Sequence, residues 1–425
     1  MKKQSEWFPT IPDEEFAQRI AAFKEKMARD RFDLVIAYSN YIDPATVRYF
    51  TDFAPINENG ALVIPLEGDA ILCSGQACHD WSRFTSKVKD VRVMPEVGEV
   101  SGVEYDIAIT DFADLFKELR GKYTIKRIGI IGQLTFPQVI HAKLEAVFPE
   151  AEIALAEKGL FELRMKKSAG ELDCIRKAGE IISDTFAYAV GRIKPGMTEL
   201  DVEADLTARM LQLGAEDHTL SWAPMVPSGA RHTNLCMNRN SLRKLEKGEI
   251  ISVNAGALYE GYNAVICSPV VLGKIPEEMR SAIQVAWDAE RKVTEQLKPG
   301  ATAKELYRMY SEFLTEKGYR KFSPYGSVHS LGMLECEPPF FSATKEVALQ
   351  EGSVVAIDAY FANMPWGSFR IEDTFIVGKG GPETVTTFNT GFLKRYLDAA
   401  KNRRKIGRRP SKPKRGVKKG GVKRR

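Results

Sequence analysis

The first 160 residues alternate between helical and strand-like patterns of apolar positions. Residues 12–30 (PDEEFAQRIAAFKEKMARD) place apolar side chains at helical spacing, and residues 32–39 (FDLVIAYS) form a short apolar run typical of a buried strand. Residues 61–75 (ALVIPLEGDAILCSG) predict a hairpin that turns at LEGD. A further strand is predicted in KRIGIIG at 126–132, followed by a helix that begins near Pro137. This order predicts an α/β domain.

The second half of the chain contains one pattern twice. Lys194-Pro-Gly-Met-Thr and Lys298-Pro-Gly-Ala-Thr each open a helical stretch, and KGEIISVN at 247–254 recurs as EGSVVAID at 351–358. Both pairs lie 104 residues apart. This period is too long for a solenoid repeat. It predicts two copies of an α/β half-domain related by a pseudo-two-fold axis, with a ligand cleft between them.

The two copies differ in their polar residues. Asp358 in SVVAIDAYF and Glu372 in FRIEDTFIV lie within apolar strands of the second copy, whereas the first copy has Asn254 in the place of Asp358. Burying a carboxylate in a strand is unfavourable unless the group is paired or binds a ligand. Two such residues on adjacent strands indicate a functional site. Backbone hydrogen bonds or Arg370 could also satisfy either carboxylate alone.

The order of these motifs resembles a known fold. KPGMTELDV, then KGEIISVNAG and GYNAV, then the His329 segment SVHSLGMLECEPPF, then the two carboxylate strands resemble the "pita-bread" fold of creatinase, prolidase, aminopeptidase P and methionine aminopeptidase. The resemblance spans residues 163–393, and the upstream part resembles the creatinase N-terminal domain. It implies a mixed α/β (α+β) protein with a creatinase-like N-terminal domain (1–160), a pita-bread catalytic domain (161–395) and a basic disordered tail (396–425).

The resemblance also implies where metal ligands would lie. Peptidases of this fold hold two metal ions with two aspartates, one histidine and two glutamates. Those positions fall on Asn254, Val265, His329, Asp358 and Glu372. Three potential ligands remain, which can suffice for one catalytic zinc ion but not for two ions clamped by carboxylates. A metal-dependent Xaa-Pro dipeptidase or aminopeptidase is therefore an alternative prediction.

Creatinase resembles this chain in these departures, because it has an asparagine at the first position, lacks the second aspartate and cleaves a C–N bond without metal. The resemblance implies a hydrolase without metal or other cofactor, acting on an amidine or amide C–N bond of a small substrate. Its catalytic residues would be His329, His232, Asp358 and Glu372. His232 takes the place of the family's loop histidine only if the loop carries about five extra residues, since an ungapped count from Asn254 reaches Met237. The histidines would move protons, and the carboxylates would stabilise positive charge that develops on nitrogen.

Other residues are expected to contact the substrate. They are Asn254, Tyr262, Glu337, Arg370 and Glu58. The chain departs from creatinase at Cys336, which replaces a substrate-handling histidine, and at Glu58, which replaces an arginine that binds the substrate's carboxylate. Because acidic candidates outnumber basic ones around the cleft, a cationic substrate is predicted. The Asn-Glu-Asn-Gly sequence around Glu58 could also be an ordinary hairpin turn.

Charge is distributed unevenly along the chain. Residues 401–425 contain 14 of the 61 Lys and Arg residues and no Asp or Glu. The first 400 residues therefore have 47 basic and 56 acidic residues, a net charge of −9. The tail is expected to be disordered and to make at most nonspecific contact with nucleic acid, because no stacking aromatic residues accompany its charge.

The sequence also carries features that bear on cellular location and on oligomeric state. No apolar run reaches 18 residues and the N-terminus lacks a signal-peptide pattern, so a cytoplasmic protein without membrane contact is expected. Six cysteines without disulfide or CxxC spacing agree with a reducing compartment. The creatinase resemblance implies a homodimer in which one subunit's N-terminal domain covers the partner's cleft. A catalytically silent binding module on the same fold is a further alternative.

Overall fold

The computed structural model describes residues 8–99, 106–218, 222–235 and 237–407, with side chains described as far as residue 398. The helices of the N-terminal part are α1 (Asp13–Arg29), α2 (Ala45–Thr51), α3 (His79–Thr85), α4 (Phe112–Lys122), α5 (Gln138–Val147) and α6 (Glu157–Arg164), with a 3₁₀ turn at Pro95–Val97. Its strands are β1 (Leu34–Ser39), β2 (Gly60–Pro65), β3 (Ile71–Ser74), β4 (Asp90–Val93), β5 (Arg127–Ile131) and β6 (Glu152–Leu155).

These six strands form one sheet in the order β4-β3-β2-β1-β5-β6. Strand β1 pairs antiparallel with β2 and parallel with β5, and β2 and β3 form the predicted hairpin around the LEGD turn. Helix α1 buries Phe16, Phe23 and Met27, as its apolar spacing predicts. The Asn-Glu-Asn-Gly sequence is not a hairpin turn, because it forms a bend after α2 that leads into β2.

The C-terminal part contains the remaining elements. Its helices are α7 (Ala169–Arg192), α8 (Glu199–Gln212), α9 (Gly229–Thr233), α10 (Glu277–Thr294), α11 (Ala303–Glu316) and α12 (Phe388–Gly407), with a 3₁₀ turn at Arg320–Phe322. Its strands are β7 (Asp217–His218), β8 (Ile250–Tyr259), β9 (Tyr262–Val271), β10 (Val328–Ser330), β11 (Glu337–Phe340), β12 (Val354–Met364), β13 (Gly367–Gly378) and β14 (Gly381–Thr384).

The predicted repeat is visible in the second sheet, whose order is β11-β10-β12-β13-β9-β8-β7 with β14 paired to β13. Hairpins β8–β9 and β12–β13 are the corresponding halves, and β8 and β12 begin 104 residues apart. Thr198 and Thr302 cap α8 and α11 through the same capping box. Strands β9 and β13 meet at the pairing of Cys267 with Glu372. The pseudo-two-fold axis therefore passes through the centre of the sheet.

The C-terminal tail differs in part from the prediction. Disorder was expected from residue 396, but α12 continues to Gly407. Leu393 and Leu397 of this helix are buried against the core, and the Tyr396 hydroxyl donates to the Val271 carbonyl oxygen at 3.1 Å, so packing holds the segment as a helix. The predicted disorder of 408–425 falls outside the described residues. Along the ranges that are described, no helix combines the length and apolarity needed to cross a membrane.

Candidate active site

One face of the eight-stranded sheet carries a row of polar side chains. Asn254, Cys267, Glu372 and Asp358 are successive cross-strand partners on β8, β9, β13 and β12. Directly opposed residues in a ladder point to the same face of the sheet. His329 in β10 joins this face, because its Nε2 atom lies 3.1 Å from Glu372 Oε1. With Arg370, whose Nε atom lies 3.9 Å from Asp358 Oδ2, the structure thus brings together five of the predicted site residues: His329, Glu372, Asp358, Arg370 and Asn254.

His329 lies between two carboxylates. Its Nε2 atom is 3.1 Å from Glu372 Oε1 and 3.6 Å from Glu335 Oε1, and the His329 and Glu335 side chains are 17% and 13% exposed. Burial alone would lower the pKa of His329. Hydrogen bonds with Cys336 and Glu372, together with the charge of Glu335, outweigh burial and raise this pKa well above its usual value. The imidazole is therefore held in strong electrostatic contact with both acids.

Glu372 and Glu335 respond differently to burial. Burial would raise the pKa of Glu372, but the hydrogen bond and charge of His329 lower it below its usual value. The Cys267 thiol also donates to Glu372 Oε2 at 3.1 Å. Burial raises the pKa of Glu335 despite the nearby His329. Within the cluster, Glu372 is therefore stabilised as a carboxylate, whereas burial disfavours the ionised form of Glu335.

Asp358 has a separate set of partners. The Tyr325 hydroxyl donates to Asp358 Oδ2 at 2.5 Å, and Arg370 Nε lies 3.9 Å from the same oxygen. The Arg370 guanidinium also stacks over the Tyr360 ring at 4.6 Å from its centroid. Burial raises the pKa of Asp358 to about 6, although Arg370 opposes this shift. Among the described residues, no group hydrogen-bonds to Asp358 Oδ1.

The two positions that would hold aspartates in a two-ion centre are occupied differently here. The Asn254 amide donates to the carbonyl oxygens of Met225 and Ser252, both at 3.1 Å, and accepts from the Ser252 hydroxyl. Val265 is fully buried and presents only hydrocarbon. An amide committed to the backbone and a valine cannot supply the carboxylates that bridge two ions. The residues present therefore do not fit the two-ion arrangement.

His232 lies in α9, where it contacts Glu199. Its Nδ1 atom is 3.0 Å from Glu199 Oε1. The same carboxylate accepts hydrogen bonds from the backbone N–H and hydroxyl groups of Ser228 and Ser241. The Glu199 side chain is fully buried, whereas that of His232 is 28% exposed. These contacts anchor His232 within α9, and its predicted catalytic role stays a prediction.

Glu337 is fully buried between two cations. Its Oε1 atom accepts from Lys167 Nζ at 2.9 Å, and Oε2 accepts from Arg164. Burial would raise the pKa of Glu337, but the charges of Arg164 and Lys167 lower it below its usual value. The carboxylate predicted to bind substrate is thus paired with Arg164 at the end of α6 and with Lys167 in the segment that follows.

Tyr262 and Glu58 also make internal contacts. The Tyr262 hydroxyl donates to Glu171 Oε1 at 2.9 Å and accepts from Arg19 at 3.0 Å, in the interior between β9, α7 and α1. Glu58 is 1% exposed and accepts from the backbone N–H groups of Cys78 and Glu99. Neither contact set includes the His329 cluster. Substrate contact by these residues, with Glu58 acting across a dimer, stays a prediction.

The sequence prediction missed Glu335 and Tyr325. Glu335 lies in the quoted segment SVHSLGMLECEPPF, six positions after His329, so its nearness in the chain was a usable signal. Tyr325 belongs to the glycine-containing loop that precedes β10, and no polar pattern distinguishes it. Its contact with Asp358 arises from the fold rather than from a motif.

Strand β13 carries a second acid pair on its opposite face. Asp373 follows Glu372 in the strand, so it points away from the polar row, towards α10. There it forms a side-chain hydrogen bond with Glu290 and accepts from the Thr386 hydroxyl at 2.6 Å and the Asn389 amide at 3.0 Å. Burial raises the pKa of Asp373 to about 7, and burial with the charge of Asp373 raises that of Glu290. Both acids therefore hold their protons to higher pH than usual, and the pair shares one proton after the first has been lost.

This pair predicts a pH dependence of stability. A carboxyl group whose pKa is raised on folding stabilises the protein below its unfolded pKa, and this stabilisation is lost as the pH rises through the folded value of about 7. Between about pH 5 and 8, we expect the free energy of unfolding to fall by roughly 2 kcal/mol less in Glu290→Gln than in wild type. The reason is that the glutamine amide donates a hydrogen bond to Asp373 without titrating.

Thermal unfolding of the two proteins across that pH range measures the difference, with Glu278→Gln on the exposed face of the same helix as the matched control. Parallel stability curves for wild type and Glu290→Gln would show that the acids do not share a proton.

Comparison with known proteins agrees with the arrangement of domains. Residues 19–166 match the Creatinase/Prolidase N-terminal domain, and residues 173–379 match Metallopeptidase family M24. An Xaa-Pro dipeptidase from Pyrococcus horikoshii is 28% identical over 326 residues, which are 76% of this chain and 87% of that protein. An Xaa-Pro dipeptidase from Pyrococcus furiosus is 27% identical over 343 residues, covering 81% and 91% of the two chains.

Solved structures show the same fold. The prolidase from Pyrococcus horikoshii OT3 has a TM-score of 0.75 and 25% identity, covering 87% of this chain and 98% of that one. An X-Pro aminopeptidase from Thermotoga maritima has a TM-score of 0.74 with 24% identity, covering 87% and 97%. These matches confirm the predicted fold class and the order of a creatinase-like and a pita-bread domain. The two matched domains together cover most of the chain, and their order and fold are those of the pita-bread superfamily of creatinase, prolidase and aminopeptidase P.

Proposed function

We propose that this protein is a hydrolase that cleaves the C–N bond of small peptides, with Xaa-Pro dipeptides as its first substrate class. The observation that carries the proposal is the convergence of His329, Glu335 and Glu372 beside Asp358 and Arg370 on one face of the sheet. Relatives named Xaa-Pro dipeptidase, which match this chain along most of their length, support the substrate class.

The cluster has groups suited to each chemical requirement of peptide hydrolysis. Water must be activated for attack, and the negative charge that develops on the carbonyl oxygen must be stabilised. Glu372, which His329 holds as a carboxylate, would accept a proton from the attacking water, and the protonated His329 would return a proton to the leaving nitrogen. Glu335 would help to position the water, and a metal ion bound there would lower the pKa of that water. Arg370 would stabilise the oxyanion. Burial opposes its charge, but Asp358, Tyr325, Cys267 and Glu372 together outweigh burial and raise the pKa of the guanidinium above its usual value. Asp358 would hold Arg370 and Tyr325 in position.

The charge of the site also favours a substrate that carries a positively charged group. Glu335, Glu372 and Asp358 supply three acidic groups, whereas Arg370 and His329 are the basic groups that contact them. A cleft with this composition attracts a cationic group. The free ammonium group of a dipeptide meets this requirement, and the predicted preference for cationic substrates is kept in the proposal.

A second candidate is metal-independent hydrolysis of an amidine or amide, as the resemblance to creatinase implies. It is favoured by Asn254 and Val265, which stand where a two-ion centre has aspartates. In this candidate His329 and His232 move the protons, and Asp358 and Glu372 stabilise charge on the substrate nitrogen.

A substrate panel tests the proposal. Purified protein would be assayed with Xaa-Pro dipeptides, other dipeptides, tripeptides, creatine and guanidino compounds, with release of amino acids, urea or amines measured. We expect Xaa-Pro dipeptides to be hydrolysed fastest and creatine to be inert. Turnover of guanidino compounds alone would favour the second candidate. A folded protein that turns over nothing in the panel would overturn both and favour a binding module.

Assembly and location complete the proposal. A homodimer is expected from the resemblance to creatinase, and sedimentation equilibrium would measure it. A cytoplasmic location is expected from the sequence, and fractionation of cells would test it.

A further inference from the structure

The His329 cluster has the geometry of a metal-binding site. One ligand atom each from His329, Glu335 and Glu372 lie within 4.8 Å of one another, so a single ion could contact all three. It is the one such cluster of three His, Cys, Asp or Glu residues found in the described parts of the chain. His329 and Glu372 occupy positions that bind metal in peptidases of this fold, whereas Glu335 lies at a position that is not a metal ligand in those peptidases.

A second observation indicates that a positive charge is missing from this face. Asp358 is 5% exposed and faces Glu372 across the β12–β13 ladder. Its Oδ2 atom contacts Tyr325 and Arg370, but within the described ranges Oδ1 has no hydrogen-bond partner. Buried carboxylates are unfavourable unless they are paired or coordinate a cation. The three acidic groups Glu335, Glu372 and Asp358 thus outnumber the two neighbouring basic groups, Arg370 and His329.

We propose that His329, Glu335 and Glu372 form a one-ion zinc site, in which Glu335 supplies the third ligand that Asn254 and Val265 cannot. The proposal refines the hydrolase proposed above, but metal binding itself requires no substrate. Asp358 would stay outside the ligand set.

The donor atoms favour zinc over harder cations. Catalytic zinc sites use three protein ligands from histidine nitrogen and carboxylate oxygen and keep a fourth position open. Magnesium prefers six oxygen ligands and retains several waters, so an imidazole suits it poorly. The cluster supplies one nitrogen and two oxygens, and it lies beside the Cys336 thiol, which hydrogen-bonds with His329.

The experiment titrates chelator-stripped protein with Zn²⁺ alone, without substrate. Equilibrium dialysis with metal analysis measures the stoichiometry, and thermal unfolding measures the stabilisation that binding produces. We expect one zinc ion per chain, a rise in Tm of several degrees, and no comparable effect of Mg²⁺. Glu335→Gln should weaken zinc binding by about 100-fold or more, since even the loss of a ligand's hydrogen-bond partner costs roughly 10- to 100-fold.

Glu25→Gln, an exposed position on α1, is the matched control and should bind zinc as wild type does. Thermal unfolding in chelator checks that Glu335→Gln is folded before metal is added. Two zinc ions per chain, no binding by wild type, or equal affinity in Glu335→Gln and wild type would each overturn the proposal. Peptide turnover by a protein that binds no zinc would overturn only the metal site, whereas zinc binding without turnover would contradict only the proposed function.

Discussion

His329→Gln is expected to lower kcat for the best small-peptide substrate by about 100-fold or more, with little change in Tm. Glutamine can keep a hydrogen bond to Glu372, whose Oε1 atom lies 3.1 Å from the imidazole. An amide can neither exchange protons near neutral pH nor bind a metal ion as imidazole does. Activity should therefore fall while the packing around Glu372 and Glu335 is retained.

Steady-state kinetics and thermal unfolding of the same preparation measure both effects. His141→Gln is the matched control, because His141 lies on α5 of the N-terminal part with its side chain 32% exposed. Activity of His329→Gln within a few-fold of wild type would remove His329 from the reaction. An equal loss of activity and stability would mean that His329 is a structural residue.

Glu337→Gln is expected to destabilise the protein by on the order of 3–5 kcal/mol. The substitution leaves Arg164 and Lys167 buried without the carboxylate that neutralises both, and their side chains are 2% and 1% exposed. Removing one partner of a buried ion pair is costly because the remaining charge has lost its compensation. Equilibrium unfolding in urea measures the change.

Glu383→Gln is the control, because Glu383 pairs with Arg176 on the surface and such exposed pairs contribute at most about 1 kcal/mol. If Glu337→Gln kept its stability and instead raised KM, Glu337 would be a substrate-binding residue, as predicted from the sequence. The comparison thus separates a fold-stabilising acid from a substrate-binding acid.

The fold could be predicted because its repeat consists of apolar runs that are as long as β-strands. Strands β8 and β12 are almost continuously buried, and their glycine-containing approaches recur at one spacing. Such runs can be recognised in the sequence without knowing which distant residues they contact. Disorder from residue 396 was mispredicted for the opposite reason, since α12 is held by the packing of Leu393 and Leu397 against a core assembled from remote segments.

The site could be predicted only in part, because spacing does not reveal which acid turns towards His329. Glu335 and Glu337 are two positions apart, yet one contacts His329 and the other pairs with Arg164 and Lys167. Those two cations precede Glu337 by about 170 residues. Sequence comparison drew attention to Glu337, and only the three-dimensional arrangement identifies Glu335 as the member of the cluster.

The most direct test of the central claim is proline release from an Xaa-Pro dipeptide by wild type and Glu372→Gln. Glu372 contacts His329 and Cys267 and lies opposite Asp358, so it connects every part of the proposed centre. We expect turnover by wild type and a rate lower by about 100-fold or more in Glu372→Gln, with both proteins folded. Equal rates in the two proteins, or no proline release by folded wild type supplied with zinc, would contradict it.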